Sequence, residues 1–181
     1  GQRCSALRVL FVQEDVADQV IEMIAGAMEA LDVGDPRKVS TDLGPVIDDA
    51  AKKLLDEHVA WLDKNARKIC RLDLPEETAW GSFVAPAFYE IKSLSQLNRE
   101  NFGPLLHVVR YPSGGIGEVV EAINSTGYGL TLGLQSRIDT VRDYVEQNAR
   151  VGHFYDNRNQ IGAIVESQPF GGEGLSGTGP K

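Results

Sequence analysis

Residues 8–31, RVLFVQEDVADQVIEMIAGAMEAL, contain the pattern that decides the fold. They open with a continuous apolar run, Arg8–Val12, which predicts a buried strand. An amphipathic stretch over residues 15–31 follows, in which large apolar side chains recur at the three- and four-residue spacing of an α-helix. A strand followed directly by a helix is the repeating half of a βαβ unit, so this stretch favours an α/β fold with a mostly parallel sheet.

The same alternation continues along the rest of the chain. Leu105–Tyr111 (LLHVVRY) is the best candidate for a central strand, whereas Phe83–Ile91 is predicted as an edge or interrupted strand because Pro86 cannot donate a ladder hydrogen bond. Strands are also predicted over residues 130–135 and 151–155, and helices over residues 48–66, 115–124 and 138–148. Residues after Asn157 are glycine-rich and are expected to be irregular. We therefore expect one α/β domain over residues 1–181, with an open, mostly parallel sheet flanked by helices.

Composition narrows the class of protein. The 18 Lys and Arg against 26 Asp and Glu give a formal net charge of −8, which argues against a nucleic-acid partner. No apolar run approaches the roughly 20 residues of a transmembrane helix, and the first residues lack a signal-peptide pattern. The two cysteines, Cys4 and Cys70, do not form a disulfide framework, so the default compartment is the reducing cytoplasm.

A glycine-rich run near the end of the chain is the first candidate site. Residues 172–177 (GEGLSG) match the dinucleotide pattern G-x-G-x-x-G, but that motif needs a strand before it and a helix behind it, and neither is predicted here. We interpret the run as a loop whose backbone N–H groups can approach an anion such as a carboxylate. The composition leaves a mobile surface tail open as the alternative.

Cys4 is the second candidate. It follows Arg3 in a polar loop just before the first predicted strand, and a neighbouring guanidinium favours the reactive thiolate. Local chemistry alone leaves open whether Cys4 is a nucleophile or a small buried residue, which is the interpretation we give Cys70. The three histidines, His58, His107 and His153, show no metal-ligand spacing, and no metal site is predicted.

Several motifs in order resemble those of the aldehyde dehydrogenase superfamily. Residues 1–4 (GQRC) resemble its G-Q-x-C nucleophile motif, and residues 100–104 (ENFGP) resemble its E-x-F-G-P motif. Residues 124–130 (NSTGYGL) resemble its N-x-x-x-Y-G-L stretch, and residues 169–177 (PFGGEGLSG) its P-F-G-G-x-x-x-S-G motif. Their order and spacing cover essentially the whole chain. The resemblance implies an aldehyde dehydrogenase catalytic domain.

Within that superfamily, three longer runs are most similar to the 1-pyrroline-5-carboxylate dehydrogenase module of the bifunctional proline-utilisation flavoproteins. They are residues 1–18, 127–139 and 157–181. The sequence departs from that group at His153 and Asp156, where Asn and Val are usual. A polar Asp156 on a strand expected to be buried leaves the local packing open.

The resemblance implies a role for six residues. Cys4 would be the nucleophile that attacks the aldehyde of glutamate semialdehyde, with its own backbone N–H as part of the oxyanion hole. Glu100 would bind the nicotinamide ribose of NAD, and Phe102 would pack beside the nicotinamide. Ser5, Ser176 and Gly177 would bind the α-carboxylate of the substrate, which agrees with the separate interpretation of the tail as an anion-binding loop.

The resemblance also implies partners beyond this chain. In the family, an upstream domain binds most of the NAD and supplies the second oxyanion donor and the glutamate that activates water. We therefore expect the 181-residue chain to be the catalytic domain of a longer enzyme, one that forms a homo-oligomer, and to be inactive alone. FAD would belong only to a proline dehydrogenase domain of that parent, and NADP in place of NAD stays open.

Three alternatives remain at this point. The first is an aldehyde dehydrogenase of the same superfamily that acts on another, uncharged aldehyde. The second is a cysteine hydrolase that uses Cys4 with one of the histidines. The third is a non-catalytic scaffold of the same fold, although a scaffold has no use for a reactive thiol.

Overall fold

The structure, a computed structural model, describes residues 1–161 and 167–180. The prediction of irregular chain over residues 162–166 lies outside the described residues. The described chain divides into two compact units, and each is given by itself. The first contains residues 1–2 and 8–110, and the second contains residues 3–7 and the chain from Tyr111 onward.

The first unit is built on a four-stranded sheet with the strand order β1-β4-β3-β2. Its elements are β1 Val9–Gln13, helix α1 Glu14–Glu29, helix α2 Asp49–Asn65, β2 Arg67–Arg71, β3 Ala87–Glu90 and β4 Leu105–Tyr111. Short 3-10 helices at Glu76–Trp80 and Leu94–Gln96 complete it. β3 and β4 run parallel, and β2 pairs antiparallel with β3.

The two helices cover opposite faces of this sheet. Alternate residues of a strand point to opposite faces. Accordingly, Ala87 and Tyr89 of β3 join a cluster with Leu55 and Leu62 of α2. Phe88, between them, joins the cluster that contains Ile21 of α1. The sheet is therefore buried on both sides, which is why β4 carries apolar residues on both faces, at positions 105–106 and 108–109.

The second unit contains a βαβ element. Its elements are helix α3 Ile116–Ser125, β5 Tyr128–Gly129, β6 Thr131–Leu134, helix α4 Asp139–Asn148, β7 His153–Asp156 and β8 Glu173–Gly174. β6 and β7 are parallel and are connected through α4, whereas β5 and β8 form a two-residue antiparallel pair. The predicted α/β class with a mainly parallel sheet and flanking helices is confirmed.

Two local predictions need correction, and one strand was not predicted. Of the two alternatives for the strand around Pro86, interruption is confirmed, since β3 begins directly after Pro86, and the edge position is wrong, since β3 lies between β4 and β2. β2 was not predicted, because its sequence RKICR has charged residues at both ends, as suits the edge strand that it is. The tail is not wholly irregular, since residues 173–174 pair with Tyr128 and Gly129 as β8.

Candidate active site

Cys4 lies at the centre of a tight turn. The backbone N–H of Ala6 donates to the carbonyl oxygen of Arg3 at 3.1 Å, which places Cys4 and Ser5 between them. Cys4 is exposed, whereas Ser5 is buried with only 6% of its surface accessible. The side-chain amide of Gln160 contacts the carbonyl oxygen of Ser5 at 3.4 Å. The turn thus presents the thiol to solvent and fixes the neighbouring residue inside.

The residues predicted to bind NAD lie in the first unit, in the loop that enters β4. The side chain of Glu100 is one-third exposed, and Phe102 is 39% exposed although it is a large apolar residue. Asn101, between them, is buried and accepts a hydrogen bond from the guanidinium of Arg99 at 3.2 Å. An accessible carboxylate and an accessible aromatic face two residues apart fit a ribose hydroxyl and a flat ring, so these residues suit the nicotinamide riboside.

Arg8 is a residue of this region that sequence reasoning missed. Its guanidinium carbon lies 3.9 Å from the centre of the Phe102 ring, and its Nε lies 3.4 Å from Oε1 of Glu100. Its own side chain is largely buried, with 15% exposed. The only signal in the sequence was an arginine at the head of an apolar strand.

The glycine-rich tail lies in the second unit and folds back on itself. The N–H groups of Ser176 and Gly179 donate to the carbonyl oxygens of Glu173 and Gly172 at 3.0 and 2.7 Å, and that of Leu175 donates to Gly127 at 2.8 Å. The N–H of Gly177 makes a longer bond of 3.3 Å to Gly174. Most of the amides expected to hold an anion are therefore engaged already, and the hydroxyl groups become the better donors.

Ser176 has a specific place in this tail. Its Oγ accepts a hydrogen bond from the N–H of Gly129 at 3.1 Å, which fixes the oxygen and leaves the hydroxyl hydrogen for another acceptor. Gly172 permits this packing, because a Cβ there would lie 2.6 Å from the Cβ of Ser176. Gly174 adopts φ +59°, a conformation that favours glycine.

His153 is the second residue that was missed, and it holds the start of the tail. Its Nε2 accepts a hydrogen bond from the N–H of Gly171 at 3.0 Å, and its ring stacks on Phe170 with 4.8 Å between ring centres. His153 also stacks on Tyr155, its neighbour on the same face of β7. A histidine on a strand gave no hint of this contact in the sequence.

The other two histidines form a buried pair in the first unit. Nε2 of His58 lies 3.0 Å from Nε2 of His107, and Nδ1 of His107 lies 2.9 Å from the carbonyl oxygen of Arg8. Burial lowers the pKa of both rings, that of His58 to about 4, with the His107 and Arg99 charges as further causes for His58. Each histidine thus has a structural partner, which counts against the hydrolase alternative. Within residues 1–161 and 167–180, no three metal-ligating side chains come together.

The whole chain, residues 1–181, matches the sequence model of the Aldehyde dehydrogenase family. The chain belongs to this family. Among proteins of known identity, the aldehyde dehydrogenase chain is 47% identical over 186 residues to the bifunctional protein PutA of Escherichia coli strain K12. It is 34% identical over 183 residues to a 1-pyrroline-5-carboxylate dehydrogenase of Geobacillus sp. strain WCH70. All of this chain is covered in both comparisons, with 14% of the first relative and 35% of the second.

Solved structures agree with the sequence comparisons. A crystal structure of a Bradyrhizobium japonicum Proline Utilization A (PutA) variant superposes with a TM-score of 0.94 at 55% identity, covering 99% of this chain and 18% of that one. A variant of Thermus thermophilus 1-pyrroline-5-carboxylate dehydrogenase superposes with a TM-score of 0.87 at 32% identity, covering 98% of this chain and 34% of that one. The chain therefore spans a minor part of the aldehyde dehydrogenase relatives it matches. No helix among the described residues is long and apolar enough to cross a membrane.

Proposed function

We propose that this chain is the nucleophile-bearing catalytic domain of a 1-pyrroline-5-carboxylate dehydrogenase, which oxidises glutamate γ-semialdehyde to glutamate with NAD. The observation that carries the proposal is the exposed thiol of Cys4 at the centre of a turn whose next residue, Ser5, is buried. Membership of the aldehyde dehydrogenase family and similarity over the whole chain to 1-pyrroline-5-carboxylate dehydrogenases support it.

Cys4 carries the covalent steps. Its thiolate sulfur bonds to the aldehyde carbon, and the carbonyl electron pair moves to oxygen, which gives a thiohemiacetal on the protein. The backbone N–H of Cys4 donates to that oxygen; among the described residues it has no other acceptor. NAD, held at its nicotinamide end by Glu100 and Phe102, would supply the acceptor for the hydride that leaves the former aldehyde carbon, which turns the thiohemiacetal into a thioester. Water then attacks the thioester carbon, the C–S bond breaks, and Cys4 leaves as thiolate while glutamate is released.

Glu100 and Phe102 orient the nicotinamide end of the cofactor. The Glu100 carboxylate accepts hydrogen bonds from ribose hydroxyls, and Phe102 offers its exposed ring as an apolar face. Both side chains stay one-third or more accessible in the structure, which leaves surface for a ligand to contact.

The hydroxyls of Ser5 and Ser176, with the N–H of Gly177, bind the α-carboxylate of the substrate. The long 3.3 Å bond that the Gly177 N–H makes within the tail is weak and can be exchanged for a carboxylate oxygen. Hydrogen bonds to a charged acceptor are stronger than those between neutral groups, so a few such donors favour the semialdehyde over uncharged aldehydes.

The proposal extends to the parent protein. The chain is one domain of a longer cytoplasmic enzyme that forms a homo-oligomer, and an upstream domain binds the rest of NAD. FAD belongs to a proline dehydrogenase domain if the parent carries one. The similarity to bifunctional PutA proteins, of which this chain matches 14% of the length, supports this arrangement.

The experiment measures the rate of NADH formation by the complete parent protein in its native, Cys4→Ala and Cys70→Ala forms. Pyrroline-5-carboxylate is compared with short uncharged aldehydes. We expect preference for pyrroline-5-carboxylate, loss of NADH formation in Cys4→Ala and near-native rates in Cys70→Ala, because Cys70 lies half-buried on the edge strand β2. Equal rates on uncharged aldehydes would restore the alternative of another aldehyde dehydrogenase, and activity in Cys4→Ala would overturn the mechanism.

A further inference from the structure

Arg8 joins the two residues assigned to the nicotinamide riboside. The guanidinium covers one face of the Phe102 ring at 3.9 Å, and its Nε forms an ion pair with Oε1 of Glu100 at 3.4 Å. An arginine can make both contacts at once, because its planar guanidinium stacks on a ring while its positive charge attracts a carboxylate beside the ring. A lysine presents a point charge and lacks the stacking surface.

The backbone of Arg8 is also anchored. Its carbonyl oxygen accepts two hydrogen bonds from His107, one from the backbone N–H at 3.0 Å and one from Nδ1 at 2.9 Å. Since a carbonyl only accepts, Nδ1 of the neutral His107 ring carries the hydrogen and Nε2 is left as an acceptor. His58 therefore donates from Nε2 to His107, and this buried pair anchors Arg8 to β4 and α2.

Neither Glu100 nor Phe102 makes a side-chain hydrogen bond within the described part of the chain, and Arg8 contacts both. Both lie in the loop before β4, outside any helix or strand, and both are at least one-third exposed. Exposed loop side chains sample several rotamers, and holding them in one conformation costs free energy when a ligand binds. A buried arginine that holds both before binding reduces that cost.

We propose that Arg8 is a positioning residue that holds Glu100 and Phe102 in the conformation that meets the nicotinamide riboside. The inference rests on the proposed function, since it assumes that Glu100 and Phe102 bind NAD. Arg8 acts through these two side chains and takes no part in the chemical steps at Cys4.

The test measures KM for NAD, KM for pyrroline-5-carboxylate and kcat in the complete parent protein. We expect Arg8→Met to raise KM for NAD about tenfold while KM for pyrroline-5-carboxylate changes little, a loss of the size expected for one ion pair and one cation–π contact. Arg8→Lys keeps the charge without the stacking and should fall between native and Arg8→Met. The matched control is Arg67→Met, which removes the Arg67 ion pair with Glu90 on the same sheet and should leave both KM values near native.

A double-variant cycle separates positioning from a general loss of structure. Glu100→Gln alone should raise KM for NAD, and adding Arg8→Met should raise it less than the product of the two separate effects, because both changes break one interaction. The proposal would be overturned if the rise in KM for NAD in the double variant equalled the product of the two separate rises. It would also be overturned if Arg8→Met raised KM for NAD and KM for pyrroline-5-carboxylate equally. Melting temperatures are compared in parallel, and if Arg8→Met does not fold, Arg8→Lys with Glu100→Gln completes the same cycle.

The outcomes also separate this inference from the proposed function. A native parent that forms no NADH, or a Glu100→Gln variant with native KM for NAD, contradicts the assignment of function or of the cofactor site. A native parent that is active and sensitive to Glu100→Gln, with Arg8→Met unchanged in KM for NAD, contradicts the role of Arg8 alone.

Discussion

Gly1 lies directly against the carbonyl oxygen of Gly103, so that the first residue of the G-Q-x-C motif touches the glycine of the E-x-F-G-P motif. A Cβ at position 1 would overlap that oxygen and would also lie 3.2 Å from the nitrogen of Pro104. Both obstacles are backbone atoms, which cannot rotate away. The two motifs therefore contact each other through a glycine that has no room for a side chain.

Gly1→Ala in the parent protein is expected to lower the free energy of unfolding by about 1–3 kcal/mol, the usual cost of forced overpacking. It should also reduce NADH formation, because the loop that carries Glu100 and Phe102 must shift. The matched control is Gly26→Ala in α1, where nothing lies within 4 Å of the added Cβ. In a helix interior that change should stabilise the protein by about 0.5–1 kcal/mol. Urea unfolding measures both, and a neutral Gly1→Ala would contradict the tight contact.

The buried histidine pair predicts how stability depends on pH. Burial first, and then the His107 and Arg99 charges, lower the pKa of His58 to about 4, while its unfolded value stays near 6.5. The unfolded chain therefore binds more protons than the folded chain between these two values. Stability is full above about pH 6.5, falls as the pH drops through that window, and levels off for this group below about pH 4.

His58→Gln tests this dependence. The glutamine amide can still donate to Nε2 of His107 but takes up no proton, so the loss of stability between pH 6.5 and 4 should become smaller. Free energies of unfolding from urea titrations at several pH values measure the slope. At pH 8 the variant should differ from the native protein by a constant offset. Identical slopes for the two proteins would show that His58 does not titrate in this window.

Local patterns predicted most of the fold. The strand and helix over residues 8–31 and the central strand β4 were predicted from periodicity, because burial on both faces imposes apolar residues there. β2 was missed because an edge strand tolerates charge, as at Arg67 and Arg71. The interruption at Pro86 was predicted correctly, but the edge position was wrong because strand order depends on contacts between distant segments, which a local pattern does not contain.

In the candidate active site, too, local motifs were predictable and contacts between distant segments were not. Cys4, Glu100 and Ser176 were predicted from ordered motifs that resemble a family, and their roles remain predictions. The contacts of Arg8 with Glu100 and Phe102, and of His153 with Gly171, join segments far apart in the sequence. No spacing rule connects such residues, so only the folded structure could show them.

The hydroxyl of Ser176 is predicted to contribute to substrate recognition. Ser176→Ala removes a hydroxyl whose hydrogen can be donated to the substrate carboxylate, so KM for pyrroline-5-carboxylate should rise roughly tenfold in the parent protein. KM for a short uncharged aldehyde should stay near native. Ser125→Ala is the matched control, because that hydroxyl is exposed on α3 and donates to the carbonyl oxygen of Ala122 at 2.7 Å. Equal rises for both aldehydes would instead assign Ser176 to the packing of the tail.

Replacing Asp156 is predicted to stabilise the folded protein. It ends β7, opposite Leu134 of β6, and among the described residues its buried Oδ1 has no hydrogen-bond partner. A buried polar atom without a partner costs about 1–3 kcal/mol, so Asp156→Val should raise the free energy of unfolding by an amount in that range. Valine also suits a strand, where its branched side chain packs well against neighbouring residues.

The control for Asp156→Val is Asp143→Val on α4, which removes an exposed carboxylate that contacts Arg142 at 2.8 Å. Loss of such a surface ion pair changes stability by only about 0–1 kcal/mol, and in the opposite direction. Thermal unfolding of both variants beside the native protein distinguishes the two environments. A lower melting temperature for Asp156→Val would contradict the prediction and would show that the charge interaction of Asp156 with Arg142 outweighs the cost of the buried Oδ1.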